Sequence, residues 1–315
     1  MQRIERYYKF SDYLKKRFGC RVYKVSIDAG FSCPNKDGRL STGGCIYCDN
    51  KAFSFNTRTS PGPVEEQIKA GIESGRRRTG AKKFIVYFQA YTNTYDRPEI
   101  LKERYDCIKR FKDVVGVSIG TRPDFVDDDI LDVIGGYSTD YEVWMEYGLG
   151  TMRDKTLGAI NRNHLYKDFL KAFELTRKRN IKICAHIIIG LPGETRDDIM
   201  DTAREMGRLK VDGVKIHPLH VVKGTKLEEL FRAGSYEPLA LDEYASLSAE
   251  FLKYISPDTV IQRMTADCPE EMLVSPLWIL DKNEVLKNIG KRLLRDDSYQ
   301  GMFFGVPKEP KAAAG

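Results

Sequence analysis

Between about residues 21 and 222 the chain alternates short apolar runs with longer amphipathic stretches, and this rhythm restricts the fold more than any other feature. The runs are VYKVSID (22–28), FIVYFQA (84–90), VVGVSIG (114–120), YEVWMEY (141–147), IKICAHIII (181–189) and GVKIHPLHV (213–221). Near-continuous β-branched runs of this length read as strands buried on both faces. The stretches between them carry helical spacing. Val64, Ile68 and Ile72 share a face after Pro63, and Ile100, Leu101, Tyr105 and Ile108 follow Pro98. Further helical patterns cover 127–135, 166–179 and 195–209, the last behind the cap candidate Thr195. Strands joined through helices run parallel. The expected class is α/β, a partial six-unit barrel of the TIM-like kind with a C-terminal α+β extension.

In such folds the functional loops follow the C-terminal ends of the strands. Each unusual motif falls at such an end: the cysteine loop after the first run, QAYTNTY, GTRPD, EYGLGT, GLPGET and HVVKGT after the others. Beyond residue 222 the character changes. Helical patterns occupy 225–233, 241–254 and 282–295, and TVIQRMTA (259–266) reads as a strand. The expected organisation is a core over 1–222, an extension packed on it over 223–300, and a disordered tail over 301–315.

The cysteines carry the chemistry. Cys33, Cys45 and Cys48 form a C-x11-C-x2-C pattern in a polar, glycine-rich loop. Three thiolates are one short of a closed tetrahedral site, so a metal held this way keeps a position open for reaction. Buried structural thiols and a zinc site completed by a distant histidine are the competing readings. The other cysteines are scattered, and Cys107 and Cys184 lie in patterns that suit the core. Seven cysteines argue for ligands and free thiols over disulfides. With no long apolar run and no signal-like N-terminus, no membrane association and a cytoplasmic protein are expected. The net charge of +6 is mild for a nucleic-acid binder and suits docking of an acidic electron donor.

The cysteine loop and the strand-end motifs resemble the radical S-adenosylmethionine (SAM) superfamily, its Elp3-like branch, and within that the YhcC-type family. The resemblance covers about residues 20–300, with a first cysteine gap longer than the superfamily's usual one. It implies a 4Fe–4S cluster held by Cys33, Cys45 and Cys48, with SAM on the remaining iron. It implies SAM contacts from Tyr47, from the Gln89, Ala90, Tyr91 and Thr92 segment, and from Ile188, Arg162 and His186. Glu146 and Arg122 also sit at strand ends and could face SAM or substrate. It further implies a low-potential electron donor such as flavodoxin or ferredoxin, and RNA, protein or a small molecule as substrate. The alternative is a non-catalytic iron–sulfur or zinc interaction module. One departure stands out: relatives end the fourth-strand motif GLQS, and here Gly148-Leu149-Gly150-Thr151 lacks the glutamine.

Other motifs read more simply. His217 and His220 would face opposite ways on a continuing strand, which argues against a shared metal. Lys223-Gly224-Thr225 reads as a helix start. The clusters Arg76-Arg77-Arg78 and Arg177-Lys178-Arg179 close helices just before strands, where they complement the helix dipole and lie opposite the catalytic loops. The basic helix over 282–295 is the better candidate surface for RNA or an acidic partner.

Overall fold

The computed structural model describes residues 5–54 and 62–306; the expected tail from 307 to 315 lies outside the described residues. The six expected strands form as β1 (Val22–Ile27), β2 (Lys83–Phe88), β3 (Val114–Thr121), β4 (Glu142–Gly150), β5 (Lys182–Ile189) and β6 (Gly213–Pro218). β7 (Val221–Val222) pairs with β9 (Leu273–Ser275) in a small antiparallel ribbon. The main sheet has seven strands, because β8 (Val260–Arg263) adds to the free edge of β6. The extension therefore completes the sheet as well as packing on it. Its register, Gly213 opposite Val260, gives the edge of β6 the backbone partners it would otherwise lack.

All six pairings are parallel and the strand order follows the chain. Each crossover thus adds its strand on the same side, and the sheet curls into a partial barrel. Alternation along the strands separates two faces. Val25, Val86, Val117, Val143, Ile187 and Val214 point outward and pack with Ile68, Leu101, Ile134, Phe169, Ile199 and Phe251 from the surrounding helices. Those helices include α3 (Val64–Thr79), α4 (Pro98–Asp106), α5 (Asp128–Gly135), α7 (Tyr166–Arg177), α8 (Arg196–Leu209) and α10 (Leu241–Tyr254). Thr195 caps α8 reciprocally with Asp198, as its sequence suggests.

The base of the barrel holds a helix the sequence did not announce, α1 (Phe10–Phe18). Phe10 and Tyr13 meet Trp144 edge-on, with ring centroids 6.0 and 5.8 Å apart, over buried Cys184 and Val260. Its spacing of Phe10, Tyr13, Leu14 and Phe18 was present, but the segment is short and its last turn basic. The basic clusters are structural where the geometry resolves them. Arg76 pairs with Asp113, Arg177 with Asp212, and Arg179 with Asp128 and Asp132. Residues 301–306, the start of the expected tail, form turns whose Gly301 and Phe303 amides donate to Leu252 and Lys253 carbonyls.

Candidate active site

The loop after β1 is shaped by its own backbone. The Cys33 carbonyl accepts from the Lys36 and Asp37 amides at 2.8 and 3.1 Å, and the Cys45 carbonyl accepts from the Cys48 amide at 3.0 Å. A second loop, Ile160 to His164, clasps it. The Asn35 amide donates to the Cys45 sulfur at 3.6 Å and to the Asn161 carbonyl at 2.7 Å. Asn161 in turn donates to the Gly44 carbonyl at 2.6 Å. Asn161 and Asn163 both adopt left-handed backbone, φ 52° and 54°, which asparagine tolerates better than most residues. Ile46, between two of the cysteines, donates to the Ile160 carbonyl and accepts from the Leu227 amide, so the extension also holds the loop.

This loop lies over a cavity of about 270 Å³ at the C-terminal ends of the strands. Cys33, Tyr47 and Cys48 line it, together with Gln89, Tyr91, Thr92, Glu146, Arg162, His186 and Ile188. Ala90 is buried and does not reach it, and its carbonyl instead fixes the Asn93 side chain. Gln89 spends its amide on the Phe53 carbonyl at 2.8 Å. Arg122 lines the cavity but is committed to the clasp. It holds Asp124 through two nitrogens and donates to the Arg162 and Asn163 carbonyls at 2.8 and 3.0 Å. His217 and His220 both reach the cavity because β6 ends at Pro218, which removes the strand alternation that would have parted them. Thr225 caps the next helix by accepting from the Glu228 amide.

Arg162 sits between the cysteines and the strand ends. Its Nη1 lies 3.5 Å from the Cys45 sulfur and its Nε 3.0 Å from His164 Nε2, and it donates to the Gly148 carbonyl. A Cβ on Gly148 would stand 2.5 Å from that guanidinium, so glycine here makes room for the arginine. Deeper in the barrel, Glu146 is fully buried. It accepts from Lys24 at 2.6 Å, from His186 at 2.9 Å, and from Lys215. Burial opposes its charge, but the two ammonium groups prevail and hold its carboxyl well below the usual range. Lys215 goes the other way: burial outweighs a carboxylate it must share with Lys24, and its ammonium is lowered to about 8. Burial and Lys215 also lower His186 to about 4, so it is neutral.

A zinc ion with bonds of about 2.3 Å draws thiolates to within roughly 3.8 Å of one another. Among the described residues Cys33, Cys45 and Cys48 do not form a set with every sulfur pair within 4.8 Å. The three thiols are therefore not gathered as they would be around a single zinc ion. Residues 38–206 match the radical SAM superfamily, and residues 211–295 match the radical SAM C-terminal domain.

The chain belongs to the radical SAM superfamily.

Similar full-length proteins include MJ0486 of Methanocaldococcus jannaschii, 39% identical over 94% of this chain and 92% of that protein. The protein YhcC of Escherichia coli is 34% identical over 96% of both chains. Among solved structures, the Elp3 of Methanocaldococcus infernus superposes with a TM-score of 0.66 at 18% identity. That likeness covers 89% of this chain and 64% of that one, and it supports the fold.

The residues present fit the groups a radical SAM protein uses. Burial and neighbouring Cys45 push the Cys48 thiol up to about 12, so a thiolate there needs a bound cation. Thr92 Oγ1 and His220 Nε2 line the cavity buried and without a hydrogen-bond partner, which leaves donors and acceptors for a polar ligand. Tyr91 is held at φ 62° beside them, an unfavourable backbone of the kind that collects at ligand sites.

The departure at Gly150 also has a structural meaning. Gly150 has φ 84°, where β4 and β5 shift register, so a side chain is strained there even though space is available. Gly150→Ala is expected to destabilise the fold by about 1–2 kcal/mol. A denaturation midpoint equal to the parent's would show that this backbone relaxes freely. Sequence reading missed Lys24, Lys215, Asn35 and Asn161. Lys24 and Lys215 were visible as charges inside otherwise apolar strand runs.

Proposed function

We propose that this chain is a radical SAM enzyme that uses a 4Fe–4S cluster on Cys33, Cys45 and Cys48. When bound, the cluster and SAM supply a 5′-deoxyadenosyl radical that abstracts hydrogen from a substrate. The observation that carries this reading is the meeting of Cys33 and Cys48 with Tyr47 and Arg162 around one cavity at the strand ends, with the Cys45 sulfur against the Arg162 guanidinium. Arg162, already charged and anchored at the cluster loop, is placed to take the SAM carboxylate through its guanidinium. Tyr47 and Ile188 offer apolar surface to the adenine. Tyr91 and Thr92 offer polar groups to the methionine end, Gln89 braces that segment through Phe53 and Ser26, and Asn35, Asn161 and Arg122 position the loop. Buried Tyr87, Glu146 and Lys215 close the deep end of the cavity, the part best shielded from the water that a reactive radical must avoid.

An acidic flavodoxin or ferredoxin is the proposed electron donor, in keeping with the net charge of +6. No described helix is long and apolar enough to cross a membrane. Anaerobic reconstitution with iron and sulfide tests the reading. A brown protein that forms 5′-deoxyadenosine from SAM under reductant is the expected result. A colourless protein with stoichiometric zinc that leaves SAM intact would overturn it.

A further inference from the structure

The barrel floor carries more positive charge than the protein itself balances. Among the described residues Glu146 is the one carboxylate against both Lys24 and Lys215, whose side chains are 18% and 7% exposed. Arg263 pairs with Asp267, but Asp267 also serves Lys282. Three cations of the floor, Lys24, Lys215 and Arg263, thus face two carboxylates, one of which, Asp267, also meets Lys282 at the half-exposed rim, and His186 and His217 are held neutral by burial. The ring of Tyr87 lies 4.2 Å from the Lys215 ammonium and 4.7 Å from that of Lys24, a partial compensation only. Uncompensated charge away from water is costly unless a partner arrives. Glu146, His186, Lys215 and Arg263 all line the cavity, so that partner has access from the mouth.

The trio Glu146, Cys184 and His186 brings three ligand atoms within 4.8 Å of one another, which by itself would suggest a metal. Two ammonium groups already bind that carboxylate, and the surplus positive charge repels a cation. The floor selects the opposite sign.

We propose that Lys215 and Arg263, with Lys24 adding its charge from behind Glu146, form a recognition site for an anionic head group, carboxylate or phosphate, of a small-molecule substrate. This deepens the proposed reading of the cavity as a reaction chamber and rests on it for the word substrate. Lys215, nearest Glu146 and most buried, donates to the anion. Glu146 orients the two ammonium groups and limits how tightly the anion is held. The two roles give opposite signs on substitution.

The test uses the reconstituted full-length protein, titrated with inorganic phosphate or with succinate at constant ionic strength and followed by thermal unfolding and calorimetry. Either anion is expected to raise the melting temperature. Lys215→Met is expected to weaken that binding about tenfold or more, through the loss of one charge-assisted hydrogen bond. Glu146→Gln is expected to tighten it and to enlarge the anion-induced shift over its own baseline. A response to phosphate alone or to succinate alone identifies the head group. No shift with either anion, or equal shifts in the parent and Lys215→Met, overturns the proposal. Should Lys215→Met fail to fold, Arg263→Met takes its place with the same expectation. Iron content and SAM cleavage are measured on the same samples. Their loss with anion binding intact counts against the radical reading and not against this site.

Discussion

Replacing Cys33, Cys45 or Cys48 with alanine is expected to bring iron content and 5′-deoxyadenosine formation down to background. Partners that merely support a metal ligand typically matter by about 10–100-fold, so loss of a ligand itself should exceed that. The fold should survive, because the loop remains tied through Asn35, Asn161 and Ile46. Cys107→Ala provides the contrast. Its thiol is buried in the outer core, and its loss should leave iron and SAM cleavage intact while costing some stability. Asn161→Ala is intermediate: it keeps the three sulfurs but frees the clasp, and iron retention on dilution should fall by about tenfold. A cysteine variant that kept a full cluster would refute the ligand assignment.

Glu146→Gln is expected to destabilise the protein by about 3–5 kcal/mol, since it leaves two buried ammonium groups without their shared carboxylate. Chemical denaturation measures this directly. The pH dependence carries a second signature. The folded carboxyl titrates below its ordinary value of 4.5, so the stability it contributes is fully present above that value. It is lost as pH falls through the folded value. Glu146→Gln should therefore flatten the acid limb of the stability curve. Lys215 acts in the opposite sense. Its folded value, about 8 against an ordinary 10.5, means the unfolded chain holds the extra proton between them, and stability should rise with pH across that interval. Lys215→Met removes the rise. A parent curve flat on both limbs would mean that water reaches this network freely.

Much of this architecture was legible because strand period and helix period differ. The six apolar runs gave the strands within one to three residues at most ends, and the strand-end motifs gave the cavity mouth. The cysteines announced themselves by their spacing in a loop with no other use for thiols. What stayed hidden depends on contacts between distant residues. Nothing local in FSDYLKKRF says that Phe10 and Tyr13 will meet Trp144. Nothing in INRNH says that two left-handed asparagines will grip a loop more than a hundred residues earlier. The parting of His217 from His220 holds only for a continuing strand; β6 ends at Pro218, and both histidines reach the cavity. Lys24, Glu146 and Lys215 were readable as misfits in apolar strands, but their meeting required the curl of the sheet.

The seven-stranded sheet also bears on inheritance. The two stretches that match the family, 38–206 and 211–295, part at the last turn of α8, just before β6 and inside one continuous ladder of strands. The first lacks β1 as well as β6 and β8, so alone it would present β2 and β5 as open edges, with Ile187 and Ile189 deprived of cover. Bare edges of that kind seek other chains. A gene shuffled at residue 206 would move a sequence unit without moving a folding unit. Two stretches recognised separately are, in this molecule, parts of one sheet.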